Sequence, residues 1–277
     1  MVYRHAERMI LLRGHMGTDR RARGLRALIV GASSGIGQAL AGQLAESGAR
    51  VVACARRRER IEAAPDLVAL ECDVRDPLQC DAVVAEASRH LGGLDALVYC
   101  AALSQITPLD QSGIDEWYDV FATNLFGAAL VTRAALPHLC ASDSQGRALF
   151  LTSDASDRAY PGLVAYSASK SALGRFCQGL ESEFPQLKVS EVIVGPTAGT
   201  EIADHFDPTE FEKWATRWFA EGFVRFGMQQ PGEVAALIVD AIVNEAPSSR
   251  IEATGPVELS ATSLDEGRRQ AEQAQSG

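Results

Sequence analysis

The sequence lacks a CxxC pair and any cysteine–histidine spacing that would hold zinc; its six cysteines, Cys54, Cys72, Cys80, Cys100, Cys140 and Cys177, are scattered. With no secretory signal, this usage fits a reducing compartment, and the cytoplasm is the expected location. No uninterrupted apolar run reaches the roughly 20 residues that cross a bilayer, which argues against a membrane anchor. Repeats, low-complexity tracts and Gly/Ser- or Pro-rich linkers are also missing. The 277 residues are therefore expected to form one domain around a sizeable core.

Positive charge is scarce beyond the N-terminus. Residues 1–24 hold six arginines against Glu7 and Asp19, a formal +4, so the total of −10 leaves −14 for the remainder. Such an acidic body argues against nucleic acid as a partner. The basic leader reads as a disordered extension, or as a non-native stretch ahead of a real start at Met9 or Met16, with a transit peptide as the alternative. Residues 261–277 read as a flexible tail.

The 47% hydrophobic and 22% charged content is that of an ordinary globular chain. Short β-branched runs at Ala27–Val30, Val51–Cys54, Leu67–Cys72, Ala96–Cys100, Ala148–Leu151, Val189–Val194 and Arg250–Ala253 alternate with segments of helical periodicity. This order predicts a single-domain α/β fold over residues 25–260, a doubly wound, Rossmann-like parallel sheet of about seven strands with helices on both faces.

The first strand runs into "GASSGIGQAL". Glycines there let the backbone turn tightly against a pyrophosphate, and the following helix start offers free N–H groups and a favourable dipole. Gly31, Ser33, Ser34, Gly35, Ile36 and Gly37 are the candidates for holding a dinucleotide. The second strand ends in "VVACARRRER", with Ala55 where an acid would accept a ribose hydroxyl and Arg56 directly after it. An arginine fork suits a 2′-phosphate, so NADP(H) is favoured over NAD(H). A solvated run of charge at Arg56–Arg58 is the other reading.

In "AYSASKSALGR", Tyr166 and Lys170 stand four apart among small residues, on one face of a helix that something flat can approach. A neighbouring ammonium is expected to lower the tyrosine pKa and make Tyr166 a general acid/base.

Together these pieces resemble the short-chain dehydrogenase/reductase family, in its classical type, over roughly residues 25–250. "GASSGIG" is similar to TGxxxGIG, with Val30 where threonine is usual; "CDV", "NLFG" and "LFLTS" match further family segments, and Ser153 precedes Tyr166 by 13 residues, the family's usual separation. The resemblance implies that Asp73 and Val74 hold the adenine. It also implies that Ser153 bonds the substrate oxygen, Tyr166 exchanges its proton, and Lys170 tunes Tyr166 while holding the nicotinamide ribose. The Asn124 carbonyl would position a water leading to Lys170, and Thr200 would meet either the nicotinamide amide or the pyrophosphate. A homotetramer or homodimer is implied as well.

Two departures stand out. Where NNAG is usual the chain has Tyr99-Cys100-Ala101-Ala102, so that Tyr99 and Cys100 brace the sheet differently from the family's asparagine or leave it less braced, while Ala101 stays a small residue beside the cofactor. "VGPTAGT" replaces PGxxxT, with Gly195 and Pro196 transposed. The flap at about 201–228 carries Phe211, Trp214, Trp218, Phe219, Phe223 and Phe226, which either enclose a hydrophobic substrate or only pack the flap onto the sheet or line a subunit contact.

The expected activity is an NADP(H)-dependent oxidoreductase interconverting a ketone and a secondary alcohol, with a small hydrophobic molecule as substrate and no metal. The alternatives are a ketoreductase or enoyl-type reductase on a biosynthetic acyl intermediate, and a dinucleotide-binding regulator without turnover.

Overall fold

A computed structural model describes residues 22–62, 64–200, 206–224, 227–244 and 249–255. The expectations for the leader up to residue 21, for the tail and for Phe226 lie outside these residues. Ala22 is already buried and bonds through its N–H to the Ser47 carbonyl, so the packed body begins before residue 25.

All seven expected strands form: β1 (Arg26–Val30), β2 (Arg50–Ala55), β3 (Leu67–Glu71), β4 (Ala96–Tyr99), β5 (Arg147–Ser153), β6 (Lys188–Val194) and β7 (Arg250–Ala253). They build one parallel sheet in the order β3-β2-β1-β4-β5-β6-β7. Alternation along each strand sends neighbours to opposite faces. Leu28 and Val30 pack with α2 (Pro77–Leu91), α4 (Gly127–Cys140) and α5 (Val164–Glu183), whereas Ala27 and Ile29 pack with α1 (Gly35–Glu46) and α7 (Pro231–Val243). Burying a side chain such as Leu28, Leu97 or Phe150 completely contributes about 1.5–3 kcal/mol each, so this two-sided core dominates the stability.

Helix α3 (Ile114–Phe121) passes through a π-helical turn, Ala122–Phe126, into α4. The joined stretch Ile114–Cys140 is long and apolar enough to cross a membrane by length and composition, although no uninterrupted apolar run was read in the sequence. Its residues Val131, Ala135 and Leu139 are packed into the core. The six cysteines are unpaired.

The flap helix α6 (Pro208–Ala220) starts on an Asp207 cap that accepts from the Thr209 and Glu210 N–H groups. Its Trp214 and Trp218 form a third cluster with Tyr160 and Leu163.

Candidate active site

Strand order reverses between β1 and β4, and in such sheets the crevice at the carboxyl ends of the strands takes ligands. A cavity of about 580 Å³ opens there. Every site residue expected from the sequence lines it except Asn124, which is fully buried behind it.

At one end the glycine loop leaves no room for side chains. A Cβ on Gly31 would stand 2.5 Å from the Ala101 N atom, and one on Gly37 would stand 2.2 Å from the Gly31 carbonyl oxygen. Ser33, Ser34, Gly35 and Ile36 complete the loop, and the side chain of Ser34 does not cap the start of α1. Thr200 packs on Gly35, with 3.2 Å between its Cγ2 and a Cβ built there, which puts it beside this loop.

Beyond the loop, Arg56 and Arg57 line the cavity at the end of β2, and Asp73 and Val74 follow β3. Asp73 is held by Arg75 at 2.8 and 3.0 Å, a partner the sequence reading missed, although i and i+2 across a turn carry the signal. That hydrogen bond, with help from Arg56, pulls the Asp73 carboxyl below its ordinary range. A glycine loop with no room for added side chains at Gly31 and Gly37, a helix start beside it, a carboxylate and two arginines along one cavity fit an adenine dinucleotide.

At the other end Ser153, at the tip of β5, and Tyr166 and Lys170, on α5, come together. Lys170 is buried; its Nζ donates to the Leu151 carbonyl at 2.7 Å and lies 5.8 Å from the Tyr166 ring centroid. The expected lowering of the tyrosine pKa is not what this arrangement produces. Burial pushes Tyr166 up to about 12, opposed by the Ser153 hydroxyl, and pushes Lys170 down to about 8. Both groups lose water around their charged forms, and that cost exceeds what an ammonium directed at a carbonyl can return. Spacing on a helix reports that two groups are close, but not how far both are desolvated.

Asn124 sits in the π turn. Its Oδ1 accepts from the Leu103 N–H at 2.7 Å, while its Nδ2 donates to the Leu103 carbonyl and to Ser169 Oγ, each at 2.9 Å. Ser169 in turn donates to the Tyr166 carbonyl at 2.7 Å, so Asn124 ties the loop after β4 to the tyrosine's own helix turn. π turns cluster at functional sites.

The departure at Tyr99 is a replacement brace. Its fully buried phenol donates to the Thr123 carbonyl at 2.6 Å, reaching the π turn from the sheet. Gly127 makes the space, because a Cβ there would lie 2.5 Å from the Tyr99 oxygen. The transposed Gly195 is needed where β6 passes β7: a Cβ would meet the Thr254 carbonyl oxygen at 2.8 Å. Buried Gln229, also missed in the sequence, secures this loop by donating to the Ala253 carbonyl at 2.6 Å.

Of the described flap aromatics, some pack the flap down and some line the cavity. Trp214 packs on Gly162 and the Trp218 indole donates to the Pro161 carbonyl at 2.8 Å, while Phe211, Trp218 and Phe219 line the cavity. Asp154 and Tyr160 also line it and were not foreseen. An acid directly after the strand-end serine in "TSDASDRAY" was the available signal.

Residues 26–210 match the family model described as short chain dehydrogenase. An uncharacterised oxidoreductase of Staphylococcus aureus is 28% identical over 215 residues, 75% of this chain and 92% of its own length. An 11-beta-hydroxysteroid dehydrogenase of Arabidopsis thaliana is 36% identical over 166 residues, 56% of this chain and 47% of its own. Among solved structures, a short chain dehydrogenase/reductase from Burkholderia phymatum in complex with NAD superposes with a TM-score of 0.73 at 22% identity, covering 84% of this chain and 90% of that one. The glycine cradle, the Ser153-Tyr166-Lys170 group and the matched span agree: the chain belongs to the short-chain dehydrogenase/reductase family of oxidoreductases.

Proposed function

We propose that the protein is an NADP(H)-dependent oxidoreductase that interconverts a hydrophobic ketone and a secondary alcohol. The observation that carries this reading is the convergence of Ser153, Tyr166 and Lys170 at one end of a single cavity whose other end is the phosphate cradle beside Arg56. When bound, the dinucleotide supplies or accepts the hydride.

Gly31 to Gly37 and Thr200 would hold its pyrophosphate, Asp73 and Val74 its adenine, and Arg56 its 2′-phosphate. Ala101 keeps the wall thin, and Lys170 would reach the nicotinamide ribose. Ser153 would hydrogen-bond the reacting oxygen. Tyr166 is the proton carrier, and its raised pKa keeps the phenol in the donor form at neutral pH, as ketone reduction needs. Lys170, with a pKa near 8, remains largely cationic at pH 7 and would stabilise the phenolate left behind. Asn124 would position a replenishing water through its backbone carbonyl.

The aromatic flap supports a hydrophobic substrate, the class to which the Arabidopsis relative's hydroxysteroid belongs. Ile114, Tyr118 and Phe126 are 64%, 64% and 54% exposed on the α3–α4 stretch, which supports a homo-oligomer formed through that face. The unpaired cysteines support a reducing, cytoplasmic setting. Reduced-nicotinamide absorbance with a panel of aryl and alkyl ketones and their alcohols tests the activity. Saturable NADPH binding with no turnover across the panel would instead indicate a binding protein.

A further inference from the structure

The turn that follows Ser153 carries a carboxylate on which two hydroxyls converge. Ser153 Oγ donates to Asp154 Oδ1 at 3.1 Å, and the Tyr160 phenol donates to Asp154 Oδ2 at 2.7 Å. Ser153 Oγ also accepts from the Ala155 N–H at 3.2 Å. Tyr160 does not end the connection. Its phenol lies 3.1 Å from the Phe223 carbonyl at the end of the flap, where Arg158 donates to the Gly222 carbonyl at 2.8 Å and sits 5.0 Å over the Phe223 ring. The catalytic turn and the flap are thus clasped through one carboxylate.

A serine hydroxyl has a single proton. In this geometry Asp154 accepts the hydrogen bond through that proton at 3.1 Å, in competition with the Tyr166 oxygen that the same hydroxyl also reaches, whereas bonding to a ketone oxygen needs it turned into the cavity. An ionised carboxylate is the stronger acceptor of the two. Resting on the reading of Ser153 as the group that bonds the reacting oxygen, we propose that Asp154 is a positioning residue: its ionised form holds the Ser153 proton away from the cavity, its protonated form releases it, and Tyr160 links that choice to the flap.

The charged and titratable groups acting on Asp154 are Arg158 in the same turn, Tyr160 at its end and Tyr166 on α5. Burial raises the Asp154 carboxyl, and the hydrogen bonds from Tyr160 and Ser153 pull it back. Asparagine reproduces only the protonated form, because its NH2 donates where the ionised carboxylate's second oxygen accepts.

The test has two arms. In protein labelled with [4-13C]aspartate, the Asp154 carboxyl is assigned by its absence in Asp154→Asn, or in Asp154→Glu should the amide variant not fold, and is titrated by NMR. Ser153→Ala and Tyr160→Phe should each move its midpoint upward by about one pH unit, the size expected for losing a hydrogen bond to a charged group. An unmoved midpoint in Ser153→Ala overturns the proposal.

In the second arm, the NADPH-loaded enzyme reduces a ketone from the panel across pH. Wild-type kcat should fall as pH rises through the Asp154 midpoint; Asp154→Asn should lose that limb while binding NADPH within about twofold of wild type, and Tyr160→Phe should move it to higher pH. An Asp154→Asn enzyme that keeps the wild-type limb also overturns the proposal. If wild type reduces no ketone, the reading of the site fails, and the NMR arm still decides whether the carboxylate holds the serine.

Discussion

Gly127→Ala probes the join between sheet and π turn, where the chain departs from its family. The added methyl would stand 2.5 Å from the Tyr99 hydroxyl oxygen and 2.9 Å from Val74 Cβ. Tyr99 is fully buried and its phenol is committed to the Thr123 carbonyl at 2.6 Å, so the ring cannot move aside without breaking that bond. Overpacking of this kind costs about 1–3 kcal/mol, and losing a neutral hydrogen bond a further 0.5–1.5 kcal/mol or so. Gly127→Ala should therefore destabilise by about 2–4 kcal/mol, and Tyr99→Phe alone by about 1 kcal/mol. The double variant removes the nearer clash and leaves only the Val74 contact. It should be more stable than the sum of the singles predicts, by about 1 kcal/mol, which is a coupling typical of residues in contact. Urea midpoints at constant m-value measure all three. Strict additivity, or a Gly127→Ala protein as stable as wild type, would refute the packing account of this join.

Arg56→Ala should weaken NADPH about tenfold or more and leave NADH within about twofold, since only the 2′-phosphate is proposed to meet the guanidinium; titrations of both cofactors decide it, and an unchanged preference removes Arg56 from that role. Light scattering at micromolar concentration should show a dimer or tetramer that dissociates in Tyr118→Glu combined with Phe126→Glu, because the substitutions place charge on the exposed apolar face. A wild-type monomer would reject that assembly.

The strands were legible because most are short apolar runs between helix-like segments, and the expected and observed ends differ by at most two residues, as for Ala148–Leu151 within Arg147–Ser153. The glycine loop and the Tyr166–Lys170 pair were legible because tight turns and helix faces are local, whereas Ser153 was nominated by the family resemblance and its usual 13-residue separation from Tyr166. What escaped depends on distant partners. The π turn is held by Asn124 bonding Leu103 and Ser169, 21 and 45 residues away, and no local pattern encodes that. Whether Tyr99 braces the sheet differently or leaves it less braced is decided by its reach to the Thr123 carbonyl, 24 residues away, which no local pattern encodes. The Tyr166 pKa was misjudged in direction because proximity to Lys170 can be counted along a helix, whereas desolvation comes from every element around the cavity.

The central claim, that Tyr166 is the proton carrier of a nicotinamide-dependent reaction, is tested most directly by comparing Tyr166→Phe with wild type in NADPH affinity and single-turnover ketone reduction. The phenyl ring fills the same space without the exchangeable proton. The account predicts NADPH affinity within about twofold and a reduction rate lower by several orders of magnitude. A Tyr166→Phe enzyme that reduces the ketone at a near wild-type rate would contradict it, because the proton would then come from another group.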